Sequence, residues 1–111
     1  MLATVADILK VEPISMGRLV AGGNGLNRVV RGVTVLEVSW IEIPEGQVFT
    51  HAGDIVVSSM YSVMNSVDEQ IRTVRMIKEQ EASALCLCHL GMVIKELSPR
   101  LIDECNRLAL P

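Results

Sequence analysis

The sequence predicts an α/β domain with a small mixed, mainly parallel sheet and flanking helices. Two runs rich in β-branched residues, at 32–37 and 55–58, are typical of strands. Apolar residues then recur at helical spacing after Ser66 and after Ser98, and a further apolar run, 84–88, lies between these two helical patterns. This alternation of strand and helix favours parallel strands that are joined by right-handed crossovers.

The first predicted element is a short helix near the N-terminus. Thr4 is a typical N-cap, and Val5, Ile8 and Leu9 supply an apolar stripe. Pro13 ends this element, because the residue before a proline avoids the helical region.

A β-hairpin is predicted next. Residues 18–21 and 28–31 have the composition of short strands, and the glycine-rich segment 22–25 between them is a strong turn signal. The same glycines do not form a phosphate-binding loop, because they lack both a G-K-[ST] ending and G-x-G-x-x-G spacing before a helix. The segment is therefore interpreted as a tight turn.

The two central strands of the prediction differ in character. The first covers 32–37, and a loop with one helical turn near Trp40 follows over 38–50. Gly53 and Asp54 start the second strand, which continues through the apolar run and ends in serine at position 58. A continuous apolar run of this kind indicates a strand that is covered on both faces.

Two helices and one strand complete the prediction. Ser66 and Glu69 fit a capping box, so a helix begins at Ser66, and its apolar face consists of Val67, Ile71, Val74 and Ile77. The run 84–88 forms a buried strand. Ser98 is the N-cap of the last helix, and Pro99 occupies its first position.

Composition excludes several classes of function. The chain has 111 residues, a net charge of −3 and three aromatic residues, which argues against a DNA-binding footprint, an anionic-membrane binder and a base-stacking surface. No apolar run reaches the length of about 18 residues that a membrane span needs. Three cysteines are an odd number, so we expect reduced thiols and a cytoplasmic protein rather than a disulfide framework.

Few side chains indicate a catalytic, ligand-binding or metal site. Ser58 and Ser59 follow a strand directly, where their hydroxyls could bind a polar ligand or cap loop backbone groups. His89 follows another strand, at the end of the sheet where α/β proteins bind ligands. Cys86 and Cys88 lack zinc-site spacing, and no nucleophile elbow is present. We therefore expect no metal, no cofactor and no enzymatic activity.

The three arginines Arg18, Arg28 and Arg31 form a small basic cluster in this acidic sequence. Such a cluster could contact an anionic ligand or a partner domain. A solvated strand face is the other interpretation.

The order of the short motifs resembles the N-terminal domain of PucR-type transcriptional regulators, the purine catabolism regulator-like domain, over nearly the whole chain. The motifs that carry this resemblance lie at 4–9, 18–22, 25–30, 32–37 and 53–59. The resemblance implies a sensory or regulatory domain of a bacterial regulator of catabolic genes. It also implies that DNA is bound by a helix-turn-helix at the far C-terminal end of a longer chain, outside residues 1–111.

This chain departs from the family pattern at the second central strand. The family usually has glutamate where this chain has Asp54, and two threonines and a glycine where it has Ser58, Ser59 and Met60. Methionine takes a positive φ only at a cost, so we do not expect the close backbone approach to a ligand at Met60 that glycine would allow. The family domain normally continues into a strand after Leu110-Pro111, so we expect a truncated domain.

We predict that a small polar metabolite binds at the carboxyl end of the sheet. The residues assigned to this site are Glu37, Asp54, Ser58, Ser59 and His89. Glu37 would accept hydrogen bonds from the ligand, and the serines would bond its polar edge. The alternative is an interaction module that forms homo-oligomers without a small-molecule ligand.

Overall fold

A three-stranded parallel sheet organises the molecule, in a computed structural model that describes residues 2–12, 14–37 and 50–111. The strands are β1 (Gly32–Val35), β2 (Asp54–Ser58) and β3 (Ala84–Leu87), in the order β1-β2-β3. The helices are α1 (Val5–Ile8), α2 (Val67–Glu79) and α3 (Pro99–Arg107). The predicted α/β class and the mainly parallel sheet are confirmed.

The register of the sheet assigns its side chains to two faces. Ile55 of β2 lies opposite Val33 of β1 and Ala84 of β3, so these three side chains share one face. The neighbouring Val56 points to the other face and is fully buried. Because β2 is the central strand, it receives cover on both faces, as its apolar run predicts.

Each face of the sheet carries its own core. The larger core surrounds Val56 and includes Val74 and Ile77 of α2 and Leu101 of α3. The smaller core joins Ile55 and Ala84 to Val5 of α1. Cover over β1 is incomplete, because Val33 and Val35 remain 67% and 70% exposed.

Hydroxyl caps begin all three helices where the sequence predicts them. The Thr4 hydroxyl accepts the Asp7 N–H, and the Asp7 carboxylate accepts the Thr4 N–H, which completes a capping box. The Ser66 hydroxyl accepts the Glu69 N–H at the start of α2. Ser98 caps α3 in the same manner ahead of its proline.

The predicted hairpin over 18–31 is wrong. Residues 18–21 form no strand, and Val29 makes only an isolated antiparallel bridge with Thr4. Gly23–Gly25 form a 3₁₀ turn instead, and Gly22 before it has a φ of 68°. The predicted helical turn near Trp40 falls outside the described residues.

The glycines of this segment make room for the C-terminal residues. A Cβ on Gly22 would lie 2.1 Å from backbone atoms of Leu110, and a Cβ on Gly25 would lie 2.1 Å from the Ala109 carbonyl oxygen. The Gly22 N–H also donates to the Asn106 side chain at 2.8 Å. Close backbone approach, rather than the reversal of a hairpin, explains why glycine is needed here.

Among the described residues, no helix combines the length and apolar character that crossing a membrane requires.

Candidate functional site at the carboxyl end of the sheet

Four of the five predicted site residues lie at the carboxyl end of the sheet. Ser58 ends β2 and Ser59 follows it, while Glu37 and His89 each lie two residues beyond the end of a neighbouring strand. The assignment of Asp54 to this end is wrong, because Asp54 is the first residue of β2. Asp54 lies four residues before Ser58, and a strand rises about 3.3 Å per residue, so the two residues are about 13 Å apart.

Glu37 and Ser59 form the centre of this end of the sheet. The Ser59 N–H donates to one Glu37 carboxylate oxygen at 2.8 Å, and the Ser59 hydroxyl donates to the other at 2.6 Å. Ser59 is buried, whereas Glu37 is exposed. Each carboxylate oxygen keeps lone pairs beyond these bonds, so the pair presents an oriented acceptor to solvent.

Both serine hydroxyls also cap the backbone that follows β2. The Ser58 hydroxyl oxygen accepts the Met60 N–H at 3.0 Å, and the Ser59 hydroxyl oxygen accepts the Tyr61 N–H at 3.3 Å. Local capping, one of the two roles that the sequence left open, is therefore present for both residues.

Met60 adopts a positive φ although it carries a side chain. Met60 has a φ of 57°, so a methionine holds the left-handed conformation for which glycine is favoured. Its side chain is only 2% exposed and packs in the larger core. Burying a methionine is worth about 1.5–3 kcal/mol, which offsets a left-handed cost of roughly 1–2 kcal/mol.

His89 lies beside the serines but makes no described contact with them. It also has a positive φ, 57°, and its carbonyl accepts the N–H groups of Met92 and Val93 at 3.0 Å. The preceding residue, Cys88, donates its N–H to the Ser58 carbonyl at 3.1 Å. The imidazole is exposed, and no hydrogen bond among the described residues joins it to Glu37.

Asp54 anchors the opposite end of the sheet. Its carboxylate accepts hydrogen bonds from the Thr34 hydroxyl at 2.5 Å, the Thr50 hydroxyl at 3.0 Å and the His51 N–H at 3.0 Å. Burial raises the pKa of Asp54, but these three donors outweigh it, so the pKa lies below its ordinary value. Because the three donors meet at one oxygen, Oδ2, this buried carboxylate holds β1 and the start of β2 together.

The three cysteines are partly buried. Burial raises the pKa of Cys86, with a smaller contribution from Cys88, and burial raises the pKa of Cys105 to about 11. Within the described parts of the chain, no group of three or more histidine, cysteine or acidic residues is placed to hold a metal ion.

The sequence did not predict an apolar cavity of about 360 Å³ on the side of the sheet that α1 covers. Its walls come from α1, the irregular segment 14–20 and β3, and Arg18 lies among them. None of the five predicted site residues is part of this lining as described. The walls are distant in sequence, so no local pattern could have indicated the cavity.

Comparison with known families identifies one match. A model of the purine catabolism regulatory protein-like family matches residues 7–111. The match begins inside α1 and includes the three strands together with α2 and α3. No curated protein and no solved structure matches the chain significantly.

Proposed function

The chain belongs to the purine catabolism regulatory protein-like family, and we propose that it senses a small polar metabolite for a bacterial transcriptional regulator of catabolic genes. In this proposal the domain binds its ligand without catalysing a reaction and works in the cytoplasm with reduced thiols. DNA contact falls to another part of the regulator, in keeping with the net charge of −3 on these residues.

The observation that carries the proposal is the oriented carboxylate of Glu37. Two hydrogen bonds from Ser59 fix its direction, while the side chain itself remains exposed. A ligand therefore meets an acceptor that needs no further ordering, which lowers the entropic cost of binding.

The chemistry of this acceptor selects the class of ligand. A carboxylate accepts hydrogen bonds from N–H and O–H groups, so purines, ureides and amino acids, which all carry N–H donors, complement it. Ser58 ends the neighbouring strand β2 and His89 follows β3 beyond it, at the same end of the sheet as Glu37, and both are proposed to bond the ligand's polar edge. Asp54 does not belong to this group, because it lies at the other end of β2.

Thermal-shift screening followed by calorimetric titration tests the proposal. A ligand that binds the folded state raises the melting temperature. At a ligand concentration of about a hundred times Kd, the free energy of unfolding rises by about 2.7 kcal/mol. We expect hits among purines, ureides and amino acids. Glu37→Gln and Ser59→Ala should each lower the affinity for every hit at least about tenfold, which corresponds to 1.4 kcal/mol.

Ser62→Ala is the matched control, because Ser62 is exposed and lies three residues from the altered serine. It should bind like the original protein. Hits that survive both Glu37→Gln and Ser59→Ala with unchanged affinity would refute this site.

A second candidate function is self-association. Val33 and Val35 project side by side from β1 and are both largely exposed, which is the kind of apolar surface that a second copy would cover. Light scattering across a range of concentrations should then show a dimer that Val33→Thr with Val35→Thr abolishes. A monomer at every concentration would contradict this function.

A further inference from the structure

A shallow, positively charged bowl lies at the amino end of the sheet, away from the Glu37 site. Its walls come from the segment before β1, the turn before β2 and the link between α2 and β3. The charged residues in this lining are Arg28, Arg31, Lys78 and Glu81. Three cations therefore converge with one carboxylate in a chain whose net charge is −3.

Arg28 is fixed in the wall of the bowl. Its guanidinium donates to the Ala82 carbonyl at 3.4 Å and to the Leu108 carbonyl at 3.3 Å. Both partners are neutral acceptors, so these bonds orient the guanidinium and leave its charge uncompensated. A guanidinium has five N–H donors, so further donors remain for another partner.

Arg31 is positioned by packing against a glycine. Gly53 has a φ of 87°, and a Cβ on this residue would lie 2.8 Å from the Arg31 side chain. The absence of a Cβ lets the aliphatic part of Arg31 lie directly on the turn before β2. The Arg31 N–H also donates to the Gly53 carbonyl at 2.8 Å, so backbone and side chain are held together.

Lys78 adds the third cation without a described anionic partner. It lies in the last turn of α2, and neither its ammonium group nor the Arg31 guanidinium forms an ion pair within the described parts of the chain. Unpaired like charges repel each other, so the cluster is favourable chiefly when an anion neutralises it. The structure separates the third arginine of the sequence cluster, Arg18, from this bowl.

We propose that this bowl binds a small dianion, a metabolite that carries a phosphate or two carboxylates. The guanidinium of Arg31 forms a bidentate pair with one oxyanion, Arg28 supplies a second donor, and Lys78 contributes a point charge. This site is distinct from the Glu37 acceptor and lies at the opposite end of the sheet. One domain could then respond to an anion and to an N–H donor independently.

Titration monitored by amide NMR tests the proposal, with inorganic phosphate and succinate as probes at constant ionic strength. We expect saturable shifts confined to residues 28–31, 52–53 and 78–83 for at least one probe. Arg31→Gln with Lys78→Gln should weaken binding about tenfold or more, which corresponds to at least 1.4 kcal/mol. A preference for phosphate or for succinate would identify the anion.

Arg18→Gln with Lys95→Gln is the matched control, because it removes the same charges from exposed positions outside the bowl. It should leave the affinity unchanged. Chemical-shift changes that do not saturate, or that fall on other residues, would overturn the proposal. An equal loss of affinity in both double variants would overturn it too. Binding of an acidic peptide without binding of either small anion would overturn it as well. None of these results bears on the Glu37 site, which Glu37→Gln tests separately.

Discussion

Two carboxylates mark the opposite ends of the sheet, and their surroundings differ. Asp54 starts β2, is buried, and accepts three hydrogen bonds from Thr34, Thr50 and His51. Glu37 follows β1, is exposed, and accepts two hydrogen bonds from Ser59. Both organise neighbouring hydroxyl groups, but of the two side chains Glu37 is the exposed one that solvent or a ligand can reach.

The difference shows that burial decides what a hydrogen-bonded carboxylate does, because a buried one stabilises the fold and an exposed one is mainly held in a fixed orientation. At the amino end, the carboxylate has been removed from water, so every donor around it contributes to stability. At the carboxyl end, water competes for the same bonds, so the pair contributes less to stability and more to orientation. Three experiments sharpen or break this contrast.

The largest effect is expected from Asp54→Asn. All three donors reach one Asp54 oxygen, Oδ2, and the amide offers them a neutral oxygen in place of a charged one, so each hydrogen bond becomes weaker. Hydrogen bonds to a buried charge contribute about 1.5–3 kcal/mol, so we expect a loss of about 2–3 kcal/mol in the free energy of unfolding. Urea denaturation at neutral pH measures it, and a loss below that of Glu37→Gln would contradict the contrast.

An intermediate effect is expected on acidification. The folded-state pKa of Asp54 lies below its ordinary value of 3.8, so its stabilising contribution is complete above that value and is lost as the pH falls through the folded-state pKa. Asp54→Asn lacks this carboxylate. The gap in unfolding free energy between the two proteins should therefore narrow at low pH.

Urea midpoints measured at several pH values from 7 down to acid test this expectation. Asp7 and Glu104 also have lowered pKa values, but both are present in each protein, so their contributions cancel in the difference. A gap that stays constant with pH would mean that Asp54 does not titrate as inferred.

The smallest effect is expected from Glu37→Gln. Glutamine keeps one acceptor oxygen for Ser59, and the position is exposed, so we expect a loss of less than about 1 kcal/mol in the free energy of unfolding. Urea denaturation of Glu37→Gln and Asp54→Asn under the same conditions measures this loss. A loss as large as that of Asp54→Asn would show that Glu37 is structural and would weaken its proposed role in binding.

Local patterns predicted much of the fold. The caps at Thr4, Ser66 and Ser98 are short-range signals, and each of them begins a helix. The β-branched and apolar runs predicted the three strands, and the uninterrupted apolar run of β2 also predicted that this strand is covered on both faces. Four site residues lie at one end of the sheet because the strands are parallel and each of these residues ends or follows a strand.

Long-range contacts account for what the sequence did not predict. The glycines at 22 and 25 indicated a hairpin, yet their role depends on residues more than eighty positions away. The predicted place of Asp54 at the carboxyl end is wrong, because Asp54 is the first residue of the predicted strand. Met60 keeps a left-handed backbone because of the core around it, which no local rule includes.

The contact between the glycine turn and the C-terminal segment has a consequence for folding during synthesis. Gly22 bonds to Asn106 across 84 positions of sequence, so this part of the native structure cannot close until the ribosome has released α3. Contacts of such high sequence separation slow folding. The turn at Gly22 and Gly25 therefore completes its native contacts only after α3 has left the ribosome.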